Sequence, residues 1–138
     1  MFQYNVKKLA KENTNFRKVL FTGKYSQLVL MSLKPGEDIG EETHATIDQI
    51  FHIVVGDGEA VIAGQPQPFK EHDMLIVPAG TLHNIKNTDK ESLKLYTIYA
   101  PPTHADGTIH QTKADALKEE AAYHGQPALV QPFGEKTT

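Results

Sequence analysis

The sequence predicts an all-β fold, an antiparallel sandwich or barrel, followed by one short C-terminal helix. Three observations predict it. Between Phe16 and Tyr99, short runs rich in β-branched and aromatic residues recur between turn signals, giving at least seven strands at regular spacing. Several of these runs are apolar on both faces, as sheets buried in layers are. A rigid Pro78-Ala79-Gly80 turn then separates two of them and delivers His83 onto the first residues of a strand, where its ring is well placed to point into a barrel mouth.

In order along the chain, FRKVLFTG and YSQLVLMSL form the first pair, a hairpin around Gly23 and Lys24. Pro35 and Gly36 break the chain. DQIFHIVV follows, closed by a Gly56-Asp57-Gly58 turn, and EAVIAG is expected to return antiparallel to it. A turn from Gly64 to Pro68 leads to MLIVP, then LHNIKN, then SLKLYTIYA, which Pro101 and Pro102 stop. The single helical segment comes last: Thr112 caps KADALKEEAAY, and Gly125 ends it. Gln126 to Thr138 is a polar tail. The expected organisation is one domain over residues 1–138, with a barrel core of about 16–102 and a helix and tail at 103–138.

Composition narrows the function. A length of 138 residues suits one domain with a real core. A formal net charge of -3 leaves no basic footprint, so nucleic acid is not the expected partner. There are no cysteines, so disulfides, thiolate metal sites and cysteine nucleophiles are all excluded. Lys7, Lys8, Lys11 and Arg17 interrupt every N-terminal apolar run, and no stretch approaches a membrane span. A cytoplasmic protein without a membrane partner is expected. The second apolar face of IFHIVV and LKLYTIY must be covered by the segment before Phe16, by the tail or by a second subunit. A homodimer packed sheet on sheet is the favoured arrangement.

The candidate chemistry lies in two stretches. GEDIGEETHATIDQIFHIVVG runs from Gly36 to Gly56 and contains Glu42, His44 and Gln49; PAGTLHNIKN runs from Pro78 to Asn87 and contains His83. Together they resemble the two motifs of the cupin superfamily. The first family motif is Gly, five residues, His-x-His, three or four residues, Glu, six residues, Gly. Here Gly36 is followed after five residues by Glu42, Thr43 and His44, then four residues later by Gln49, and six later by Gly56. The second motif is matched at Pro78, Gly80, His83 and Asn87, with His72 where a first glycine is usual and Asp73 beside it. The resemblance covers about 33–102.

It implies a double-stranded β-helix, the jelly-roll barrel of cupins, holding a metal on His44, His83, Glu42 and Gln49. Glu42 stands for the usual first histidine and Gln49 for the usual glutamate. Two imidazoles with a carboxylate and an amide suit a divalent Fe, Mn, Zn or Ni ion. The set is similar to that of cupin-type phosphomannose isomerases, with Glu and Gln exchanged, which moves any acid–base role to Glu42. Each residue also has a plain structural reading: His83 as a turn histidine, Glu42 as a loop carboxylate among Glu37, Asp38 and Glu41, Gln49 as an amide that orients a water. Strand period points Asp48 away from Gln49.

His52 is expected to face away from the site. His72, His104, His110 and His124 are expected in solvent, with His104 and His110 able to fold back around Asp106-Gly107. Phe51, Ile53 and Ile85 would line the pocket, and at most one of Tyr96 and Tyr99 reaches it. No Lys or Arg is placed in the pocket by the pattern; Lys86 and Lys94 are the strand candidates. An apolar lining favours a small organic molecule over a polyanion. Three functions remain open: a metal-dependent enzyme, isomerase-like or dioxygenase-like, on a small carbohydrate or organic acid; a non-catalytic module binding a metal or small molecule; and a purely structural homodimer.

Overall fold

The computed structural model describes residues 1–123; the predicted Gly125 cap, His124 and the Gln126 to Thr138 tail lie outside them. A first helix, α1 (Val6–Glu12), precedes the strands β1 (Arg17–Thr22), β2 (Gln27–Leu33), β3 (Asp48–Val55), β4 (Gly58–Ile62), β5 (Gln65–Phe69), β6 (Met74–Val77), β7 (His83–Asn87), β8 (Leu93–Ala100) and β9 (Ile109–His110), and a second helix, α2 (Lys113–Tyr123), follows. The strands form a six-stranded sheet in the order β6-β3-β8-β2-β1-β9 and a three-stranded sheet in the order β5-β4-β7. Every pairing in both sheets is antiparallel. This is the all-β jelly-roll architecture expected, with the C-terminal helix in place.

The core fills the space between the two sheets. Val29, Met31, Phe51, Ile53, Leu93 and Leu95 come from the large sheet, and Ala60, Phe69 and Ile85 from the small one. All alternate inward along their strands, as period-two patterning requires. The outward apolar set has its own cover: Ala10, Leu30 and Val54 are buried together, with Val6, Leu9, Leu20, Val55 and Tyr96 packed against them. Thus α1 lies on the outer face of the large sheet. The segment before Phe16 supplies part of the covering that the two-faced strands required. Asn5 caps that helix, its side chain accepting from Lys8 N–H at 3.2 Å.

Four expectations need correction. The chain carries a helix before the strands as well as after them. The Gly64 to Pro68 segment continues into a strand, β5, rather than remaining a turn. It tolerates Pro66 and Pro68 because it is an edge, where a missing N–H faces no partner. A ninth short strand forms at Ile109–His110 against β1. EAVIAG does not pair with DQIFHIVV. The Gly56-Asp57-Gly58 segment carries the chain from one sheet to the other, with Gly56 at φ 98 and the β3 register shifting between Ile53 and Val55.

At the helical end the prediction holds residue by residue. Asp115 N–H donates to Thr112 Oγ1 at 3.1 Å, and Thr112 N–H donates back to the Asp115 carboxylate at 3.2 Å, a reciprocal cap.

Gly58 reports how tightly the small sheet packs around its central strand. A Cβ there would stand 2.3 Å from the Lys86 carbonyl oxygen and 2.4 Å from the Phe69 ring. Backbone on one side and a core aromatic on the other leave it nowhere to go. Gly58→Ala is therefore expected to destabilise the protein by about 1–3 kcal/mol, the usual range for overpacking. A guanidinium chloride midpoint equal to that of the wild type would refute this close packing.

Candidate metal centre at the barrel mouth

The site is assembled by backbone pairing before any side chain contributes. After Pro35 the chain turns at Gly36 and runs along the free edge of β7 as an irregular fourth strand of the small sheet. Ile39 N–H donates to Ile85 O at 2.9 Å, and Glu42 and His83 exchange both backbone hydrogen bonds, each 2.9 Å. That bridge puts the two motif residues side by side. The Pro-x-Gly turn adds a second lock: Gly80, at φ 83, donates its N–H to His44 O at 2.8 Å. Asn87 is structural, its amide donating to Leu33 O and Glu91 O at 3.0 and 2.9 Å. His72 occupies the motif's usual glycine position with φ 76, a left-handed conformation that glycine adopts without strain.

All four predicted side chains converge. The His44 and His83 rings lie 5.6 Å apart, centroid to centroid. Glu42 Oε2 stands 2.9 Å from His44 Nε2. The approach is close enough for an ion pair, yet it is not aligned as a hydrogen bond, so buried His44 Nε2 has no directed partner. Gln49 Oε1 stands 3.2 Å from His83 Nε2. Among the described residues no three His, Asp or Glu side chains are gathered at metal-binding distance. The fourth corner of this cluster is the Gln49 amide.

The hydrogen bonds around Gln49 and His83 set their orientations. Thr97 Oγ1 donates to Ile50 O at 2.8 Å, so its lone pairs accept from Gln49 Nε2 at 3.1 Å. The amide oxygen is thereby turned towards His83. The His83 Nδ1 lies 2.9 Å from Thr81 O, which can only accept, so Nδ1 carries the proton and Nε2 faces the cluster.

Electrostatics favour an ionised Glu42. Burial by itself pushes its carboxyl up, but contact with His44, with the Arg17 guanidinium and the His83 imidazole nearby, outweighs burial and holds it below the usual range. Tyr99, buried on β8, is pushed up to about 12 chiefly by burial, against the pull of Arg17.

The other sequence expectations divide. Phe51, Ile53 and Ile85 face inward and are buried, and Tyr99 rather than Tyr96 reaches the interior. His52 packs on Tyr96 on the outer face, ring centroids 5.0 Å apart. Asp48 points out and accepts from Ala79 N–H. His104 and His110 are not left in solvent. Gln27 binds the His104 backbone on both sides, and the ring packs edge-on to Tyr99 with Nε2 3.2 Å from the hydroxyl. His110 is 7% exposed beneath β1.

The larger omission is Arg17. It lies on the inner face of β1, level with Met31 across the ladder, and is 7% exposed. Its sequence signal is the alternation with inward Val19. The apolar Leu20 and Phe21 obscure that alternation, and a bulge follows Val19.

A jelly-roll barrel with imidazole, carboxylate and amide donors at its mouth defines a class of small barrel proteins, and comparison gives the family. A model for the cupin domain matches residues 29–99, and the chain belongs to the cupin family. It is 44% identical over 125 residues to YrkC of Bacillus subtilis, covering 86% of this chain and 67% of that one. The crystal structure of BH2720 from Bacillus halodurans superposes with a TM-score of 0.83 at 40% identity, covering 85% of this chain and 93% of the other. A predicted oxalate decarboxylase from Thermotoga maritima superposes with a TM-score of 0.54 at 27% identity over 56% of this chain and 68% of that one. Among the described residues no helix is long and apolar enough to cross a membrane.

A pH dependence follows from His104. Burial, then the Arg17 guanidinium with the His110 and His44 imidazoles nearby, hold its native pKa well below 6.5. Between the two values the unfolded chain binds a proton that the native state refuses, so stability falls as pH drops below about 6.5 and stays lost beneath the native value. The expected slope is at most about 1.4 kcal/mol per pH unit. His104→Asn should flatten the denaturation midpoint measured from pH ~7 to ~5; an unchanged slope would count against the buried neutral ring.

Proposed function

We propose that the barrel holds a divalent ion on Glu42, His44 and His83, with Gln49 at its edge, and that the protein is a metal-dependent enzyme acting on a small organic acid or carbohydrate. One observation carries the reading. With Nδ1 of His83 donating to Thr81 O and the Gln49 amide fixed by Thr97, two lone pairs face each other across 3.2 Å. That contact is repulsive unless a positive charge satisfies both, and a metal ion does so with the orientations already present. The buried Nε2 of His44, 2.9 Å from the ionised Glu42 carboxylate but not aligned on it, adds the remaining donors with that carboxylate.

Two imidazoles, one carboxylate and one amide fit Fe²⁺, Mn²⁺, Zn²⁺ or Ni²⁺. The ion would polarise a carbonyl or hydroxyl of the bound molecule. Glu42, kept in its basic form, is the group placed to take or return a proton. Phe51, edge-on to His83 at 6.1 Å, and the buried aliphatic wall behind it limit water access. An organic acid is favoured by the likeness to the predicted oxalate decarboxylase of Thermotoga maritima named above and, at 29% identity over 68 residues, to an oxalate-binding protein of the same organism.

The isomerase-like version needs several cations for a phosphosugar, and Arg17 is the one that is buried among the described residues. The dioxygenase-like version is separated from it by oxygen consumption during turnover. A second reading, a module that binds without turnover, draws support from Gln49, because a neutral amide holds a metal more weakly than the carboxylate it replaces. We further place the protein in the cytoplasm as a homodimer. The outward Met74 and Ile76 of edge strand β6, 56% and 65% exposed, are the apolar surface that a second copy would cover. Static light scattering should therefore return twice the 15.3 kDa chain mass; a monomer would rule the dimer out.

Elemental analysis of protein purified without added metal tests the centre. The wild type should carry one of the four ions, and His83→Ala should lose it, with affinity down by more than about 10–100-fold, the loss that even a supporting residue causes. Thr97→Val, which frees the Gln49 amide without emptying space, should weaken the ion within that ~10–100-fold range. Equal metal content in the wild type and His83→Ala would remove the basis of the proposal.

A further inference from the structure

Arg17 is the one buried Lys or Arg among the described residues. A guanidinium is not taken out of water without partners, so the partners it has and lacks are informative. Its Nη1 lies 3.3 Å from Nδ1 of His110, whose Nε2 pairs with the Glu119 carboxylate. Because arginine can only donate, Nδ1 accepts and Nε2–H donates to Glu119, a relay that fixes the guanidinium plane. This occupies one corner of the fork. Arg17 Nε, buried, has no hydrogen-bond partner. The ring of Phe16 lies 5.3 Å from the guanidinium carbon and offers no acceptor in the plane.

Arg17 also hydrogen-bonds the Tyr99 hydroxyl, whose ring lies 5.9 Å from that of His44, so the donor left open is Nε–H, held between filled neighbours beside the candidate centre. It sits inside the barrel with the candidate metal centre. The charge of Arg17 is felt at Glu42, at the Tyr99 hydroxyl and at His104. Tyr99 and His104, hydrogen-bonded to each other at 3.2 Å and held over the mouth by Gln27, form the polar wall on this side.

We propose that Arg17 is a substrate-binding residue: its open Nε–H takes a carboxylate oxygen of a small organic acid in a charge-assisted hydrogen bond, and the rest of that acid reaches towards Glu42, His44 and His83. This rests on the metal-centre reading only for what lies at the far end of the ligand; the carboxylate clamp belongs to Arg17 alone. A singly charged carboxylate matches one open guanidinium donor. A phosphate, with more charge and a tetrahedral shape, calls for further cations, and no other Lys or Arg among the described residues is buried.

Isothermal titration with glycolate, with neutral glycolamide and with inorganic phosphate tests the assignment, on protein stripped of metal with a chelator and on protein reloaded with it. Metal content is measured in parallel. Glycolate should bind the wild type at least tenfold more tightly than glycolamide or phosphate. Arg17→Met should lose that preference and Arg17→Lys should keep part of it, both with unchanged metal content. If Arg17→Met fails to fold, Arg17→Lys and Arg17→Gln carry the comparison.

Arg17-dependent glycolate binding in protein that takes up no metal would support the clamp and sink the metal centre. Metal uptake with glycolate affinity indifferent to Arg17 would do the reverse. Glycolamide or phosphate binding as tightly as glycolate, or an Arg17→Met variant that loses stability but no affinity, would overturn the proposal.

Discussion

The pair of backbone hydrogen bonds between Glu42 and His83 is the constraint on which the rest of the site depends. The Gly36–Glu42 segment has no strand pattern, and by itself it would be a loop. It is ordered because β7 has a free edge whose carbonyl and N–H groups need partners in a buried setting. Satisfying them sets Glu42 of one motif beside His83 of the other on paired backbone. The Gly80 contact to the His44 carbonyl then fixes the remaining histidine. Side-chain chemistry here is a consequence of main-chain accounting.

The second layer is charge. Arg17 and the imidazoles of the barrel offset the burial that would otherwise neutralise Glu42, while burial keeps Tyr99 and His104 in their neutral forms. The barrel interior thus brings together an ionised base, a neutral hydroxyl donor and a fixed guanidinium. Groups whose environments drive their ionisation apart are what acid–base chemistry near neutral pH requires. The relay from Arg17 through His110 to Glu119 draws in a residue of the C-terminal helix. A helix outside the barrel thereby orients a cation inside it.

Much of this was legible beforehand, for identifiable reasons. Seven strands were readable because β-branched runs between Gly and Pro signals report local geometry. The inward set of Gln49, Phe51, Ile53, His83 and Ile85 was readable because strand period is strictly two. The Thr112 cap was readable because it is a contact over three residues. β5 was missed because two prolines speak against a strand unless it is known to be an edge, and edges are set by the sheet order. Pairing of β3 with β4 was expected from proximity in sequence, yet a jelly roll passes consecutive strands between sheets. His104 and His110 read as solvated because nothing local shows that Gln27, far upstream, binds the His104 backbone.

By itself, then, the sequence determined what depends on neighbours along the chain: strand positions, the face each residue takes, the rigid turn before His83 and the donor types available to an ion. Only the tertiary structure decided which edges meet, and that governs everything else. Which loop covers β7, which helix covers the outer sheet and which cation lies buried beside the carboxylate are contacts between residues distant in sequence. They are fixed by burial and by satisfying backbone polar groups, and neither leaves a periodic mark on the chain.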